Sequence, residues 1–85
     1  MSAGYRVLLT PRALKEWKSL PQDAKRAVGR AIDKLAGEGR GAGVKKLGRA
    51  GWRLRVRDYR ILFEVDDENH IITIYRIRHR REAYR

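Results

Sequence analysis

Hydrophobic positions recur with a period of two at the start of the chain, with helical spacing through its middle, and with a period of two again from residue 52. Residues 3–9, AGYRVLL, alternate apolar and polar side chains as a short half-buried strand does. Thr10 and Pro11 follow. Threonine suits a helix cap, and proline suits the first helical position because no amide donor is needed there. The pattern therefore predicts a strand that leads directly into a helix.

Two predicted helices form the middle of the chain, with a break at Pro21. Apolar side chains of the first recur at helical spacing, at Ala13, Leu14, Trp17 and Leu20. Those of the second form a longer stripe, at Ala24, Ala27, Val28, Ala31, Ile32 and Leu35. We expect the second helix to end at Gly37, where a left-handed cap residue is favourable. The two helices form a hairpin, and its apolar side requires a second layer to pack against.

Three predicted strands follow a glycine-rich loop at residues 37–43. In the first strand apolar residues alternate with arginines, so that Trp52, Leu54 and Val56 lie on one face and Arg53, Arg55 and Arg57 on the other. Residues 59–65 and 70–78 are the next two strands, joined by a polar turn at 66–69. The run IITIYRI is apolar on both faces at its start, which predicts a central position in the sheet.

The predicted element order is β-α-α-β-β-β, an α+β fold in which a helix hairpin packs on one face of a mostly antiparallel four-stranded sheet. With 85 residues, the chain has room for a single domain that spans residues 1–85. The loop GEGRGAG lacks the GK[ST] ending of a phosphate-binding P-loop and follows a helix, so we interpret it as a connection only.

The composition points to a polyanionic or acidic partner. The chain carries 21 Lys and Arg against 10 Asp and Glu, a net charge of +11. So much like charge on a small body is unfavourable until a partner neutralises it. The alternative is a solvated basic surface that reflects arginine-rich codon usage. The chain has no cysteine, and neither a signal peptide nor an apolar run of membrane-spanning length is visible, so we expect a cytoplasmic protein.

The sheet face away from the helices is predicted to be strongly basic. The arginines expected there are Arg53, Arg55, Arg57, Arg60, Arg78 and Arg80. Three tyrosines are expected close by, at Tyr59, Tyr75 and Tyr84. Guanidinium groups bind phosphate through a fork of donors and aromatic rings stack on bases, so single-stranded RNA is a suitable ligand. The alternative is that these arginines are simply exposed. Against it, adjacent like charges cost about a few tenths of a kcal/mol per pair.

The residue types argue against metal and protein-nucleophile chemistry. His70 and His79 are expected near opposite ends of a strand, and the acidic residues 66–68 at a solvated turn, so we expect no metal site. There is no thiol, and Ser2 and Ser19 have no base beside them, so a hydrolase triad is not expected.

Metal-free RNA cleavage remains, in which the 2′-hydroxyl of the RNA attacks the adjacent phosphate. The protein must then align the groups, stabilise the charge on the phosphorane and move two protons. Arginines suit the first two tasks but hold their proton far above neutral pH. The candidates for proton transfer are His79, Glu82 and Tyr84, of which histidine has the most suitable ordinary pKa.

Three segments give the chain a resemblance to the RelE/ParE superfamily of toxins from type II toxin–antitoxin systems. They are TPRALKEWKSLP, KKLGRAGWRLRVRDYRILFEV and IYRIRHRREAYR, and RLRVRDYRILFEV and HRREAY are their specific parts. The resemblance implies the RelE-like microbial ribonuclease fold. It also implies an mRNA interferase, a ribosome-dependent endonuclease that cuts messenger RNA in the decoding site and needs no cofactor.

The resemblance also implies roles for individual residues. The catalytic positions of RelE-like enzymes match Arg53, Arg55, Arg60, Arg80 and Tyr84. The first two are lysines in the best-studied members, so phosphate binding and transition-state stabilisation suit this chain better there than proton transfer. Further RNA-binding residues are expected at Lys45, Lys46, Arg57, Arg78, His79 and Arg81. For the two lysines, docking on the ribosome by charge alone is the alternative.

The partners implied are a cognate antitoxin, the ribosome with its messenger RNA, and operator DNA reached through the antitoxin complex; no membrane is expected. An acidic or amphipathic antitoxin segment would cover the arginines. Two alternatives remain: a ParE-like toxin on the same fold, which poisons DNA gyrase, and an RNA-binding module without catalytic activity.

Overall fold

The computed structural model describes residues 4–38 and 43–79, which form five strands and two α-helices. The strands are β1 (Arg6–Leu9), β2 (Val44–Lys46), β3 (Trp52–Val56), β4 (Tyr59–Asp66) and β5 (Ile71–His79). The helices are α1 (Pro11–Lys18) and α2 (Gln22–Glu38), and a short 3₁₀ turn at Gly48–Ala50 precedes β3.

The strands form one sheet in the order β1-β5-β4-β3-β2, in which β1 runs parallel to β5 and the other pairs are antiparallel. The predicted α+β fold is confirmed, as is the interior position of the last strand, which lies between β1 and β4. The predicted strand count was too low by one, because Val44–Lys46 form β2 against β3. A strand of three residues is too short for alternation to reveal it.

The core lies between the helices and one face of the sheet. Its buried residues are Ala13, Ala24, Val28, Leu35, Ile61, Phe63, Ile72, Ile74 and Ile77. Trp17 and Leu54, interpreted from the sequence as core, are only partly buried against it. Leu14, placed on the apolar face of α1, is 39% exposed. The short α1 covers the sheet incompletely, so its apolar stripe is buried less than the pattern alone suggests.

Local signals set the start of α1 more accurately than the end of α2. The Thr10 hydroxyl accepts a hydrogen bond from the Ala13 amide at 3.2 Å, and Pro11 is the first helical residue, as predicted. The predicted stop at Gly37 is wrong, because α2 continues to Glu38 and Gly37 does not have a positive φ. Glycine tolerates a helical φ as readily as a left-handed one, so its presence alone does not end a helix. Neither helix in the described part of the chain is long and apolar enough to span a lipid bilayer.

Gly51, at the start of β3, is expected to tolerate no side chain. Its φ is 96°, and a Cβ built on it would lie 2.5 Å from the carbonyl oxygen of Phe63. Gly51→Ala should therefore lower the free energy of unfolding by about 2 kcal/mol or more, through left-handed strain and steric overlap. Thermal denaturation followed by circular dichroism measures the loss.

Gly29 supplies the matched control, because it lies inside α2 and a Cβ there meets nothing within 4 Å. Gly29→Ala should raise the free energy of unfolding by about 0.5–1 kcal/mol, since alanine favours the helix. Similar unfolding midpoints for the two variants would contradict this account of Gly51.

Candidate nucleic-acid interface

Three arginines lie side by side across the middle of the sheet, on the face away from the helices. Arg55 of β3 is directly opposite Arg60 of β4, which in turn is directly opposite Arg78 of β5. Residues opposite one another in antiparallel strands have Cβ atoms about 5 Å apart. We call this set, Arg55, Arg60 and Arg78, the arginine row, and the side of the sheet that carries it the open face.

A second row of the open face extends the positive charge toward the β2 edge. Lys45 is opposite Arg53, and Arg53 is opposite Leu62. Within the described residues, the buried Nε atom of Arg53 has no hydrogen-bond partner. A buried donor without an acceptor is unfavourable, so an incoming phosphate oxygen would find a ready partner there.

The other end of the open face has a different character. Glu64 is opposite Thr73, and Leu8, which is 46% exposed, pairs with Thr73 from the other side. The last row pairs Asp66 and Arg6 with Ile71. Positive charge is therefore concentrated at the end of the face near the β3–β4 turn.

Arg57, predicted to share the open face with Arg53 and Arg55, does not lie there. It is in the β3–β4 turn with a φ of 55°, and its Nη1 atom is 3.2 Å from the Asp23 carboxylate of α2. Turn residues leave the two-residue alternation of the strand, so the side chain of Arg57 is directed toward the helices. The ion pair is exposed on both sides, 56% for Arg57 and 79% for Asp23, and contributes little stability.

Three further residues expected at the basic face belong to the helix side of the sheet. Lys46 is opposite Trp52, and its ammonium group lies 5.6 Å from the centroid of the Trp52 ring. Tyr59 and His79 are opposite each other, with ring centroids 5.2 Å apart in an edge-to-face arrangement. Tyr59 lies two residues before the core residue Ile61 and His79 two residues after the core residue Ile77, so alternation directs both rings to the core face.

Tyr59 and His79 form one wall of a cleft of about 600 Å³ between the helix hairpin and the ends of β4 and β5. Its other lining residues are Arg12, Lys15, Glu16, Ser19, Leu20, Pro21 and Ile77. His79 is thus separated by the thickness of the sheet from the arginine row, although it follows Arg78 directly in the chain.

Arg80, Arg81 and Tyr84, three of the residues predicted for the site, lie outside the described residues. Arg53, Arg55, Arg60 and Arg78 do share one face, together with Lys45.

Tyr75 is the described tyrosine whose chemistry the structure constrains most. It is the extra residue at an irregularity in the pairing of β4 with β5, where Leu62 is opposite Arg76 and Phe63 is opposite Ile74. Burial, helped by the negative charge of Glu64, raises the pKa of the Tyr75 phenol above its ordinary value. Both effects favour the protonated phenol.

Glu16 and Arg76 are two residues near the site that the sequence did not reveal. The Glu16 carboxylate accepts from the backbone amide of Ile77 at 2.7 Å and from Nε of Arg76 at 3.1 Å. In the sequence Glu16 falls outside the apolar spacing of α1, which is typical of a solvated residue. A contact between residues 61 positions apart leaves no local signal in a single sequence.

Metal-binding geometry is not found in the described part of the chain: no three of its His, Asp and Glu residues come together in a way that would hold an ion.

The fold is shared with solved structures of toxins, either bound to their antitoxins or alone. The RelBE2 complex from Mycobacterium tuberculosis aligns with a TM-score of 0.80 at 30% identity, over 92% of this chain and 100% of that one. The RelE–RelB complex from Pyrococcus horikoshii aligns with a TM-score of 0.80 at 29% identity, over 94% and 97%. The isolated Escherichia coli RelE toxin shares the fold at 22% identity, with a TM-score of 0.78 over 88% and 83%. The comparison with curated proteins found no match.

A helix hairpin on one face of such a sheet and a cationic open face define a type II toxin of the RelE/ParE superfamily. Residues 7–84 match the family described as ParE toxin of type II toxin–antitoxin system, parDE, and the chain belongs to that family.

Proposed function

We propose that this toxin is a ribosome-dependent endoribonuclease that cuts messenger RNA in the decoding site. The observation that supports this most directly is the arginine row, in which Arg55, Arg60 and Arg78 share one face across three adjacent strands. Three arginines whose Cβ atoms lie about 5 Å apart on adjacent strands place like charges close together, and these repel one another in the free protein. The phosphates of a bound RNA relieve that repulsion, and the phosphate at the site of bond cleavage gains negative charge as the reaction proceeds.

The proposed reaction uses the 2′-hydroxyl of the RNA as its nucleophile. The 2′-oxygen forms a bond to the adjacent phosphorus as the bond to the 5′-oxygen breaks, which leaves a 2′,3′-cyclic phosphate and a 5′-hydroxyl. Arg53, Arg55 and Arg60 would bind the non-bridging oxygens and stabilise the phosphorane through preorganised donors. Lys45 and Arg78 extend the same face and would hold flanking phosphates.

Proton transfer falls to groups other than the arginines, which stay protonated at neutral pH. Within the described residues, His79 is on the helix side of the sheet, away from the arginine row. Burial raises the pKa of Tyr75, which favours its protonated form. By resemblance to RelE-like enzymes, Arg80 would bind phosphate, and Tyr84 would stack on a base or assist proton transfer. Arg81 would add to RNA binding.

The proposed inhibitor is a cognate antitoxin with an acidic or amphipathic segment that covers the open face. Two lines of support are the net charge of +11 and the solved relatives, which are complexes of a toxin with its antitoxin. We propose that operator DNA is bound through this complex and that the toxin acts in the cytoplasm, where ribosomes and messenger are available.

A second candidate function is inhibition of DNA gyrase, because the matching family is named for the ParE toxin. Inhibition of gyrase requires a surface that binds a protein, and it does not require a row of phosphate-binding arginines. The concentration of arginines on the open face is therefore the feature that favours the nuclease, with RNA binding without cleavage as a third outcome.

One experiment separates these functions. Purified toxin is added to translating ribosomes, with primer extension on the messenger, and in parallel to gyrase acting on relaxed plasmid. We expect cuts at discrete codons in the messenger and unchanged supercoiling. Intact messenger with inhibited supercoiling would favour gyrase, and intact messenger that is retained by the toxin would favour a binding module.

A further inference from the structure

The edge of β5 next to β1 is held by a carboxylate where strand pairing ends. β1 pairs with β5 from Ile71 to Ile74, and the Thr10 amide continues the ladder with a hydrogen bond of 2.9 Å to the Ile74 carbonyl. Within the described residues, no strand pairs with this edge beyond that point. Glu16 of α1 accepts a hydrogen bond from the Ile77 amide at 2.7 Å. Its carboxylate oxygen thus fills the position that the carbonyl of a neighbouring strand would occupy.

The contact differs from an ordinary surface ion pair. The Glu16 side chain is 22% exposed and that of Arg76, its ion-pair partner, 20%. One Glu16 oxygen is shared between Ile77 and Arg76, and the other is 3.1 Å from Arg76. Charge-assisted bonds at this degree of burial hold their geometry better than exposed ones. The Arg57–Asp23 pair, which is mostly exposed, provides the contrast within the same molecule.

The segment that Glu16 holds leads directly into the proposed site. Ile77 follows the irregularity at Tyr75, where the pairing with β4 shifts by one residue, and precedes Arg78 of the arginine row. Beyond the irregularity β5 is paired with β4 on one side, and the Glu16 carboxylate supplies a restraint on the other side. The hydrogen bond between Glu16 and the Ile77 amide thus lies one residue from Arg78 and three residues along the chain from Arg80.

We propose that Glu16 is a positioning residue, which clamps the end of β5 so that Arg78 is held in register with Arg55 and Arg60. Glu16 does not touch RNA in this account. The inference rests on the proposed nuclease function. In this account the length of the Glu16 side chain matters more than its charge, because the bond to the Ile77 amide depends on where the oxygen lies.

Two substitutions separate reach from charge. Glu16→Gln keeps the length of the side chain and an oxygen that accepts from the Ile77 amide, but it removes the charge. Glu16→Asp keeps the charge but is one methylene shorter, so it no longer reaches the amide. A positioning role predicts that the glutamine variant is the more active of the two, whereas an electrostatic role predicts the reverse.

The readouts are the kcat and KM of messenger cleavage on ribosomes and the hydrogen-exchange rate of the Ile77 amide by NMR. For Glu16→Asp we expect kcat to fall by about 10- to 100-fold with KM changed little, as a misplaced group costs rate more than binding. Exchange at Ile77 should become at least about tenfold faster while core amides such as that of Phe63 stay protected. Glu16→Gln should stay within about threefold of the unmodified protein in both readouts. The control Asp23→Ala, which removes a carboxylate from an exposed Arg pair, should change neither.

Each result bears on the inference separately from the proposed function. Unchanged Ile77 exchange in Glu16→Asp, or greater activity in that variant than in Glu16→Gln, would overturn the positioning role. A loss in Asp23→Ala equal to that in Glu16→Asp would do the same. If the unmodified toxin leaves messenger intact, the proposed function fails, and the exchange rates still decide whether Glu16 clamps β5.

Discussion

Arg60→Ala is expected to lower the rate of messenger cleavage by about 10²- to 10³-fold, the usual cost of removing one preorganised donor from a developing negative charge. Arg60 is the middle member of the arginine row, opposite both Arg55 and Arg78. Its loss removes the guanidinium group that lies between the other two. The fold should persist, because the buried core lies on the other face of the sheet. Growth arrest on induction should disappear together with cleavage.

Two variants make this result specific. Arg6→Ala is the matched control, since Arg6 is an exposed arginine on the same open face, opposite Ile71 at the far end. It should retain full activity. Arg60→Lys keeps the charge but loses the planar fork, so an intermediate rate is expected. Full toxicity in Arg60→Ala, or an equal loss in Arg6→Ala, would mean that the arginine row is not the reaction site.

Phe63→Ala is expected to prevent stable folding. Phe63 is fully buried and is among the largest completely buried side chains of the core. Truncation of a buried phenylalanine costs about 3–5 kcal/mol, a large part of the stability of a domain this small. The midpoint of thermal unfolding should fall by more than about 10 °C, or the cooperative transition should vanish.

Leu62→Ala is the control for this substitution, because Leu62 is the neighbouring residue on β4, partly buried, and lies on the open face. Its cost should be much smaller than that of Phe63→Ala, and an equal loss in the two variants would contradict the placement of the core on the helix side. Trp17→Ala should also cost less than Phe63→Ala. Trp17 is only partly buried and donates to the Lys25 carbonyl at 3.2 Å.

The sequence predicted the parts of the site that depend on regular alternation. Arg53, Arg55 and Arg60 occupy the open face because a strand of period two, with one face buried, fixes the other face as well. Arg57 does not follow the alternation, because it lies in the turn after β3 with a positive φ. The placement of Lys46 on the helix side depended on β2, whose three residues were too few to detect.

Contacts between residues far apart in the chain could not be predicted from the sequence, for a different reason. Glu16 looked like an ordinary polar residue of α1, and only the packing of that helix along the edge of β5 brings it to Ile77. Likewise, His79 was expected among the RNA-binding residues, but its position opposite Tyr59 places it in the cleft on the helix side. Local patterns predict the face of a strand, whereas tertiary packing decides what meets it there.

The central claim is that the open face cleaves RNA through the RNA's own 2′-hydroxyl. The most direct measurement compares two messengers on translating ribosomes, identical except for a single 2′-deoxy substitution at the nucleotide on the 5′ side of the mapped cut. The account predicts that the unmodified messenger is cut to a 2′,3′-cyclic phosphate and a 5′-hydroxyl, and that the deoxy messenger stays intact at that position. Cleavage of both messengers at the same position and rate would contradict it.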